Sequence, residues 1–370
     1  MILGKKVRLY PTKEQEQKLW QSVGTARFIY NWTLARQEEN YKNGGKFISD
    51  NDLRKELTIL KQSELSWLNE VSNNVAKQAV KDACKAYLNF FKKTADRPRF
   101  KSRRKSKKSF YNDNEKLKAK PGMVLIEKVG WVKTKEQIPI DVKYTNPRIS
   151  FDNKYWYISV GTEKEEEFLE LTDVSLGIDL GLKDLAICSN KKIYKNVNKT
   201  RIVRRLEKRL RRLQRSVSRK YEKNKKGKEY VKTSNIIKLE RKIQLLHRRL
   251  ANIRKNYLHQ TTTEIVKTKP FRIVIEDLNV SGMMKNRHLS KAVAKQGFYT
   301  FRKMIEYKSL FRGIELVIAN RFYPSSKTCH KCQNIKKDLK LSDRIYNCSC
   351  GLSIDRDLNA AINLSLYKLV

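Results

Sequence analysis

The sequence predicts a multidomain protein of mixed class, in which an α/β domain is joined to α-helical segments and a small β-barrel. Short apolar strand patterns with turn residues between them occupy about residues 122–162, which is typical of a small barrel. Helical spacing of apolar residues dominates residues 12–91 and 199–256. Apolar strands at 174–181 and 271–278 each carry an acid and precede a C-terminal helix, which predicts an α/β sheet.

Charge sets the strongest limit on function. The 370 residues include 82 Lys and Arg but 38 Asp and Glu, so the formal net charge is +44. The 17 Tyr, 13 Phe and 5 Trp exclude a fully disordered polycation, and the length suits two or three folded domains. A charge of this size requires a polyanionic partner. Nucleic acid fits better than an anionic membrane surface, because the basic residues run through the whole chain.

Membrane insertion and secretion are not expected. No run of 18 apolar residues is present, and the first six residues have no apolar core of a signal peptide. Six cysteines, four of them in one short stretch, indicate a metal site in a reducing compartment and not a disulfide framework. We therefore expect a cytoplasmic protein without a membrane partner.

The N-terminal segment begins with a strand pattern at residues 6–10, and Thr12 to Gln15 form a capping box that opens a helix. A second helix is predicted to begin near Asp50, and Ser72 caps a third. The third helix has an apolar stripe that indicates core packing, formed by Ala76, Val80, Ala83, Tyr87 and Phe91. Amide and basic side chains lie off that stripe and could read base edges, although a solvated helix face explains them equally simply. They are Asn74, Lys77 and Gln78.

A basic run follows the third helix. Eight of the twelve residues from Arg97 to Lys108 are Arg or Lys, and none is acidic. The alternative to a nucleic-acid contact is a disordered charged linker, but the run leads directly into the strand-rich segment, one of whose predicted strands is 138–140. We therefore predict phosphate contacts from this run. The candidates are Arg97, Arg99, Lys101, Arg103, Arg104 and Lys105.

Residues 199–256 carry the most one-sided charge, with 23 Lys and Arg but 4 Glu. Two apolar stripes, one ending near Val217 and one running from Leu239 to Tyr257, predict an antiparallel helical hairpin with cationic outer faces. Because these charges repel one another, we predict that the hairpin binds nucleic acid.

Three acidic sites recur on separate elements. Asp179 lies within an apolar strand before a glycine turn, Glu276 ends another strand, and an Asp-Arg-Asp motif at 355–357 begins the terminal helix. Each acid alone is more often a cap or a surface ion pair. Together they have the composition of a site that holds two Mg²⁺ roughly 4 Å apart. Their order along the chain is that of an RNase H-like fold, and it favours a metal-dependent nuclease.

The cysteine spacing predicts a structural zinc site. A C-x₂-C pair is followed after fifteen residues by C-x-C, and four thiolates suit tetrahedral Zn²⁺. The single residue inside the second pair departs from the more regular C-x₂-C. His330, inside the first pair, is expected at the surface and not among the ligands. The predicted ligands are Cys329, Cys332, Cys348 and Cys350.

Four motifs together closely resemble TnpB proteins, the transposon-encoded RNA-guided DNA endonucleases related to the ancestors of type V CRISPR nucleases. The motifs are Gly177–Lys183, Ile275–Leu278, Tyr323–Cys329 and Asp355–Asn363, and the resemblance extends to Tyr10–Thr12 and Pro98–Lys101.

That resemblance implies a fold and a site. The metal-binding triad of the nuclease would be Asp179, Glu276 and Asp357, with Asp355 as a neighbour or cap. The implied domains are a wedge barrel (1–10 and 96–170), a helical recognition lobe (11–95), a RuvC-like nuclease domain (173–325 and 355–370) and a zinc-binding module for target nucleic acid (326–354).

Two classes of function remain, with a transposase proper as a weaker third. The first is an RNA-guided, Mg²⁺-dependent endonuclease whose guide RNA derives from the transposon end and whose double-stranded DNA target carries a short flanking motif. The second is an RNA-guided repressor or RNA-packaging protein in which the acids are structural. The presence of all three acids favours the nuclease. The sequence leaves the oligomeric state open.

Overall fold

The computed structural model describes residues 1–165, 170–227, 229–340 and 342–368. The chain divides into two compact units, Met1–Lys164 and Glu165–Val370. Among the described residues, no helix is both long enough and apolar enough to cross a bilayer. The predicted mixed class is confirmed, because both units combine helices with a sheet.

The first unit joins an antiparallel sheet to three helices. Within residues 1–164 the sheet has seven strands in the order β2-β6-β7-β1-β5-β4-β3. The strands are β1 (Ile2–Tyr10), β2 (Lys108–Tyr111), β3 (Lys118–Lys120), β4 (Met123–Ile126), β5 (Gly130–Thr134), β6 (Tyr144–Phe151) and β7 (Trp156–Glu163), and the helices are α1 (Lys13–Lys42), α2 (Asp50–Leu60) and α3 (Asn73–Phe91).

Capping residues fix where these helices begin, as predicted. Both hydrogen bonds of the capping box at Thr12 are formed, and the Ser72 hydroxyl accepts from the backbone N–H of Asn74. Helix α1 is then tied to the sheet by side chains of its first turn. The Gln15 amide donates to the Trp131 carbonyl at 2.9 Å, and the Trp156 indole donates to Glu16 at 3.1 Å.

The predicted strand at 138–140 is wrong. Ile138 is fully buried, so the apolar pattern correctly indicated burial, but the backbone there is irregular. Pro139 has no N–H to give to a ladder, and its carbonyl accepts from the Tyr144 hydroxyl. The predicted stripe of α3 is also less uniform than expected, because Phe91 at its end is 55% exposed.

The second unit is built around a mixed sheet. In its described residues this sheet has five strands in the order β10-β9-β8-β13-β14; β8, β13 and β14 run parallel, and β9 is antiparallel to both its neighbours. Two further pairs, β11 with β12 and β15 with β16, form separate two-stranded sheets. The strands of the unit are β8 (Thr172–Leu180), β9 (Asp184–Cys188), β10 (Ile193–Lys195), β11 (Lys225–Lys226), β12 (Glu229–Tyr230), β13 (Pro270–Glu276), β14 (Glu315–Ala319), β15 (Ile345–Asn347) and β16 (Ser353–Asp355). The helices are α4 (Arg201–Lys223), α5 (Ser234–Lys267), α6 (Val280–Lys285), α7 (Ser290–Gln296), α8 (Phe298–Leu310) and α9 (Arg356–Ser365).

Helices α4 and α5 form the predicted hairpin. Their apolar faces meet in one buried cluster that includes Leu206 and Leu250. Polar pairs join them in antiparallel order, with Tyr221 donating to Glu240 and Arg254 donating to Glu207, both at 2.7 Å. Helix α5 runs ten residues beyond the predicted stripe, because Leu258 and Ile265 pack into the core of the mixed sheet. The basic hairpin is therefore continuous with that core.

Gly177 allows α9 to lie directly against β8. A Cβ at this position would stand 2.0 Å from the Ala361 carbonyl oxygen and 2.4 Å from the Ser365 nitrogen. Side chains two apart on a strand share a face, and residues four apart on a helix share a face. Asp179 therefore lies on the α9 side of β8, and Asp357 lies one helical turn before Ala361. This close approach brings the third acid toward the first.

We expect Gly177→Ala to destabilise the second unit by roughly 1–3 kcal/mol, because α9 must move away from β8 to admit the methyl group. Thermal unfolding measures the loss of stability, and hydrogen exchange of α9 measures the displacement of this helix. Gly24→Ala is the matched control, since Gly24 lies inside α1 and an added Cβ there would meet nothing within 4 Å. Alanine at that position should be neutral or stabilising. Equal stability of the two variants would contradict the packing argument.

Candidate active site and metal centre

Two of the predicted acids lie at the carboxyl ends of neighbouring parallel strands. Ile178 of β8 pairs with Ile275 of β13, so Asp179 and Glu276 follow at the same level of the sheet. The Leu180 backbone N–H donates to Glu276 Oε1 at 3.4 Å, which holds this carboxylate beside β8. Strand pairing therefore brings together acids that are 97 residues apart in sequence.

The third acid enters from the first turn of α9. Asp355 is the N-cap of this helix, and its carboxylate accepts from the backbone N–H groups of Asp357 and Leu358, both at 3.0 Å. Asp355 is thus a cap, one of the two roles expected for it. Arg356 donates to Asp357 Oδ1 from Nε and Nη2 at 3.3 and 3.2 Å. The side chain of Asp357 is 19% exposed.

The three carboxylates interact through their charges. Burial raises the pKa of Asp179 well above its usual range, and the charges of Glu276 and Asp357 raise it further. Burial likewise raises the pKa of Glu276 to about 7, against the opposing hydrogen bond from Leu180. Negative charge at this site thus exceeds what Arg356 offsets. Oxygen donors with such an excess suit a hard divalent cation such as Mg²⁺.

The four predicted zinc ligands lie close together in the structure. Their sulfur atoms all lie within 4.8 Å of one another, with Cys329 to Cys350 at 3.6 Å and Cys332 to Cys348 at 3.5 Å. Four thiolates around one tetrahedral Zn²⁺ would be separated by about 3.8 Å, given Zn–S bonds of about 2.3 Å. The cluster therefore fits zinc. Among the described residues, no second group of three or more such ligands is gathered this closely, the carboxylates included.

Buried amides connect α9 to the segment that carries the four cysteines, residues 326–354, which we call the cysteine module. The Asn359 amide donates to the Thr328 carbonyl at 2.7 Å, and the Asn363 amide donates to the carbonyls of Ser325 and Thr328 at 2.7 and 2.6 Å. His330 is half-buried and not simply at the surface, because its Nδ1 lies 2.9 Å from Asn359 Oδ1. The helix that carries Asp357 is thus fixed to the module that carries the cysteines.

The off-stripe residues of α3 mostly have partners within the first unit. The Asn74 amide donates to Glu127 at 3.2 Å, and the Gln78 amide donates to Asp82 at 2.9 Å. Asp82 also accepts two hydrogen bonds from Arg148, at 2.7 and 2.9 Å. Lys77 is exposed. The two amides thus have a structural role that the sequence did not indicate.

The basic run lies partly along a cleft. Lys101 is half-buried, with its backbone held by the Asn31 side chain and its Nζ 3.4 Å from the centre of the Tyr30 ring. Lys101, Arg103 and Gln78 line one cavity of about 460 Å³ in the first unit. The other candidates of the run are exposed and do not line that cavity: Arg97, which pairs with Glu38 at 3.2 Å, Arg99, Arg104 and Lys105.

Comparison with known proteins decides the family. Family models match residues 1–46 (a helix-turn-helix domain), 157–287 (described as a probable transposase) and 298–364 (a Cas12f1-like TNB domain). The chain is 33% identical, over 97% of its length and 90% of the relative, to "Putative RNA-guided DNA endonuclease InsQ" of Escherichia coli strain K12. A protein of Streptomyces pristinaespiralis named "Putative RNA-guided DNA endonuclease" is 32% identical over 97% of this chain and 87% of that one. The chain belongs to the TnpB family.

Solved structures share the fold of this TnpB protein at low identity. Cas12f1, in a complex with sgRNA and target DNA, superposes with a TM-score of 0.62 and 12% identity, covering 99% of this chain and 98% of that one. The mini-RNA-guided endonuclease CRISPR-Cas_phi3 gives a TM-score of 0.53 and 11% identity, over 99% and 92% of the two chains. These likenesses support the mixed α/β architecture.

The raised pKa of Glu276 predicts how pH affects the stability of the metal-free protein. Its pKa is about 7 in the folded chain against an ordinary value of 4.5, so the folded state binds more protons between these values. Stability should therefore fall as pH rises through that window, by on the order of 2–3 kcal/mol between pH 5 and pH 8. Urea unfolding at pH 5 and pH 8 in EDTA measures this loss.

Glu276→Gln should make that loss smaller, and the exposed Glu315→Gln should leave it unchanged. An identical pH dependence in wild type and Glu276→Gln would show that the folded and unfolded pKa values of Glu276 do not differ.

Elemental analysis should find one Zn²⁺ per chain, lost in Cys332→Ser, because thiolate ligation couples the metal to folding of the module. Since Asn359 and Asn363 join the module to α9, loss of zinc should also raise hydrogen exchange in α9. Cys188→Ser is the control, as Cys188 is buried in the core of the mixed sheet. Zinc-free wild-type protein with a protected α9 would refute this assignment.

Proposed function

We propose that this TnpB protein is an RNA-guided, Mg²⁺-dependent endonuclease that cleaves double-stranded DNA beside a short flanking motif. The observation that carries the proposal is the meeting of Asp179, Glu276 and Asp357, from two parallel strands and one helix, at one end of the mixed sheet. The names of its curated relatives supply the RNA guide and the DNA target.

Sheet topology supports an RNase H-like, RuvC-type nuclease domain. The chain order of the five strands across the sheet is third, second, first, fourth, fifth, and the second strand is antiparallel. We assign this domain to 173–325 and 355–370 and the zinc module to 326–354. We assign a wedge barrel to 1–10 and 96–170, of which residues up to 164 lie in the first unit, and a recognition lobe to 11–95.

The chemistry rests on three carboxylates with unequal environments. When bound, Mg²⁺ lowers the pKa of water and stabilises charge on phosphate and leaving oxygens. Asp179, Glu276 and Asp357 would hold it through oxygen donors. The chain itself orients these groups: Leu180 holds Glu276 through its N–H, and Arg356 holds Asp357.

The alternative in which the acids are structural is disfavoured by comparison with acids that clearly are. Arg148 and Gln78 lower the pKa of Asp82 despite its burial, and Arg321 lowers the pKa of Asp277. Asp179 and Glu276 show the opposite shift. Raised pKa values in a buried cluster of acids are typical of functional sites, whereas pairing with a cation lowers the pKa of an acid. This contrast favours the nuclease over an RNA-guided repressor.

Nucleic-acid binding is assigned to basic surfaces in both units. In the first unit, the cavity lined by Gln78, Lys101 and Arg103 is the candidate for contacts near the flanking motif. In the second unit, the outer faces of the α4–α5 hairpin are the candidate for the guide RNA, whose phosphates would offset the local charge. We further propose that the protein acts in the cytoplasm of a prokaryotic cell, at the nucleoid when on target.

The decisive test changes the guide. Ribonucleoprotein purified with its copurifying RNA should cleave a plasmid that matches the guide beside the flanking motif, in Mg²⁺ but not in EDTA. Replacing the guide end of the RNA should redirect cleavage to the new matching plasmid, because base pairing reads the sequence. Cleavage that ignores the replacement, or that survives digestion of the RNA, would reject the RNA-guided function.

Triad variants test the site in the same assay. Asp179→Ala, Glu276→Ala and Asp357→Ala should each abolish cleavage while target binding is retained, and their effects should not add. Asp355→Ala should be milder, because it removes a helix cap worth about 1 kcal/mol. Full cleavage by Asp357→Ala together with an inactive Asp355→Ala would move the third ligand to Asp355.

A further inference from the structure

A cavity lined by basic and aromatic side chains adjoins Glu276. A cavity of about 440 Å³ opens at the carboxyl end of β13, and its lining includes Glu276, Tyr299, Arg302 and Arg321. Tyr299 and Arg302 come from α8, and Arg321 comes from the loop after β14. Together with β13, which carries Glu276, three separate elements meet around this cavity. None of these three side chains belongs to the carboxylate triad.

Asp277 holds both arginines. Arg302 Nη1 donates to Asp277 Oδ1 at 3.0 Å, and Arg321 Nη2 donates to Oδ2 at 2.5 Å. The two guanidinium charges exceed the single charge of Asp277, and Glu276 is the other acid at this cavity. The arginine side chains remain 40% and 47% exposed, so solvent reaches their guanidinium groups. A guanidinium has five N–H donors. Arg302 uses one of them and Arg321 uses two in hydrogen bonds to Asp277, an arrangement that we call the arginine clamp.

Tyr299 presents a ring at the same cavity. It is 67% exposed, whereas its neighbour Phe298 is buried in the core and anchors the start of α8. An exposed aromatic ring beside exposed guanidinium groups is the composition of a single-stranded nucleic-acid site, where bases stack and phosphates pair with cations. A duplex would not offer a base face to Tyr299, because its bases are already stacked.

We propose that this cavity binds single-stranded DNA and positions the strand to be cut: Tyr299 stacks on a base, and Arg302 and Arg321 contact the adjoining phosphates. The proposal rests on the proposed endonuclease function, which supplies DNA as the substrate. Asp277 is then a positioning residue that sets the spacing of the two guanidinium groups, which explains why an acid beside Glu276 is paired with arginines and not available to a metal.

Cleavage kinetics test the proposal with matched variants. Tyr299→Ala should raise KM for target DNA about 10-fold, in line with about 1–3 kcal/mol for one stacked base, and leave kcat within about twofold. Tyr299→Phe should restore KM, since it keeps the ring. Arg302→Gln and Arg321→Gln should each reduce the salt dependence of single-strand binding by about 0.7 in log–log slope. Lys303→Gln is the charge control, because Lys303 lies on α8 but does not line the cavity.

Photocrosslinking separates failure of this proposal from failure of the proposed function. A single-stranded oligodeoxynucleotide carrying iododeoxyuridine, irradiated with the ribonucleoprotein in EDTA, should crosslink to Tyr299, and the site is read by mass spectrometry. A Tyr299 crosslink from a ribonucleoprotein that cleaves nothing would retain the DNA site and reject the nuclease. Normal cleavage with unchanged KM in Tyr299→Ala, or normal cleavage by a ribonucleoprotein that gives no crosslink at Tyr299, would overturn the proposal and retain the nuclease.

Discussion

The candidate active site depends on where α9 lies. On one side the helix backbone touches β8 at Gly177, which no larger residue could occupy without displacing it. On the other side, the fully buried side-chain amides of Asn359 and Asn363 donate hydrogen bonds to backbone carbonyls of the cysteine module. Asp357 projects from the first turn of this doubly held helix. Its distance from Asp179 is thus fixed by packing and hydrogen bonds and not by the acids, whose charges repel.

Much of the fold could be predicted because its signals are local. The capping box at Thr12, the Ser72 cap and the apolar periods of the hairpin each depend on neighbouring residues, and each is confirmed. The strand at 138–140 failed because burial and ladder pairing are different properties: Ile138 has the first, and Pro139 prevents the second. The end of α5 was missed because its last turns are stabilised by the sheet, which the sequence pattern does not show.

The site could be predicted in part. The acids were recognisable from their elements and order, and the cysteines from their spacing. The partners of Asn74 and Gln78 were not, because an exposed-looking amide on a helix does not reveal that Glu127 or Asp82 faces it. Asn359 and Asn363 did give a signal: two amides four residues apart on an apolar helix face must be buried, and buried amides require partners. The arginine clamp at Asp277 gave none.

The connection between β14 and α9 indicates how a metal ion in the cysteine module would act on the nuclease site. It spans residues 320–355, long for a link between a strand and a helix. An ion that joins Cys329 to Cys350 would bypass the residues between them, and the flexible connection from β14 to α9 would then be shorter by somewhat more than half. Loop-closure entropy grows slowly with length, so this shortening is worth only about 0.7 kcal/mol. This entropic gain alone would not fix the position of α9. A bound ion would act instead by making the cysteine module a rigid surface against which α9 packs.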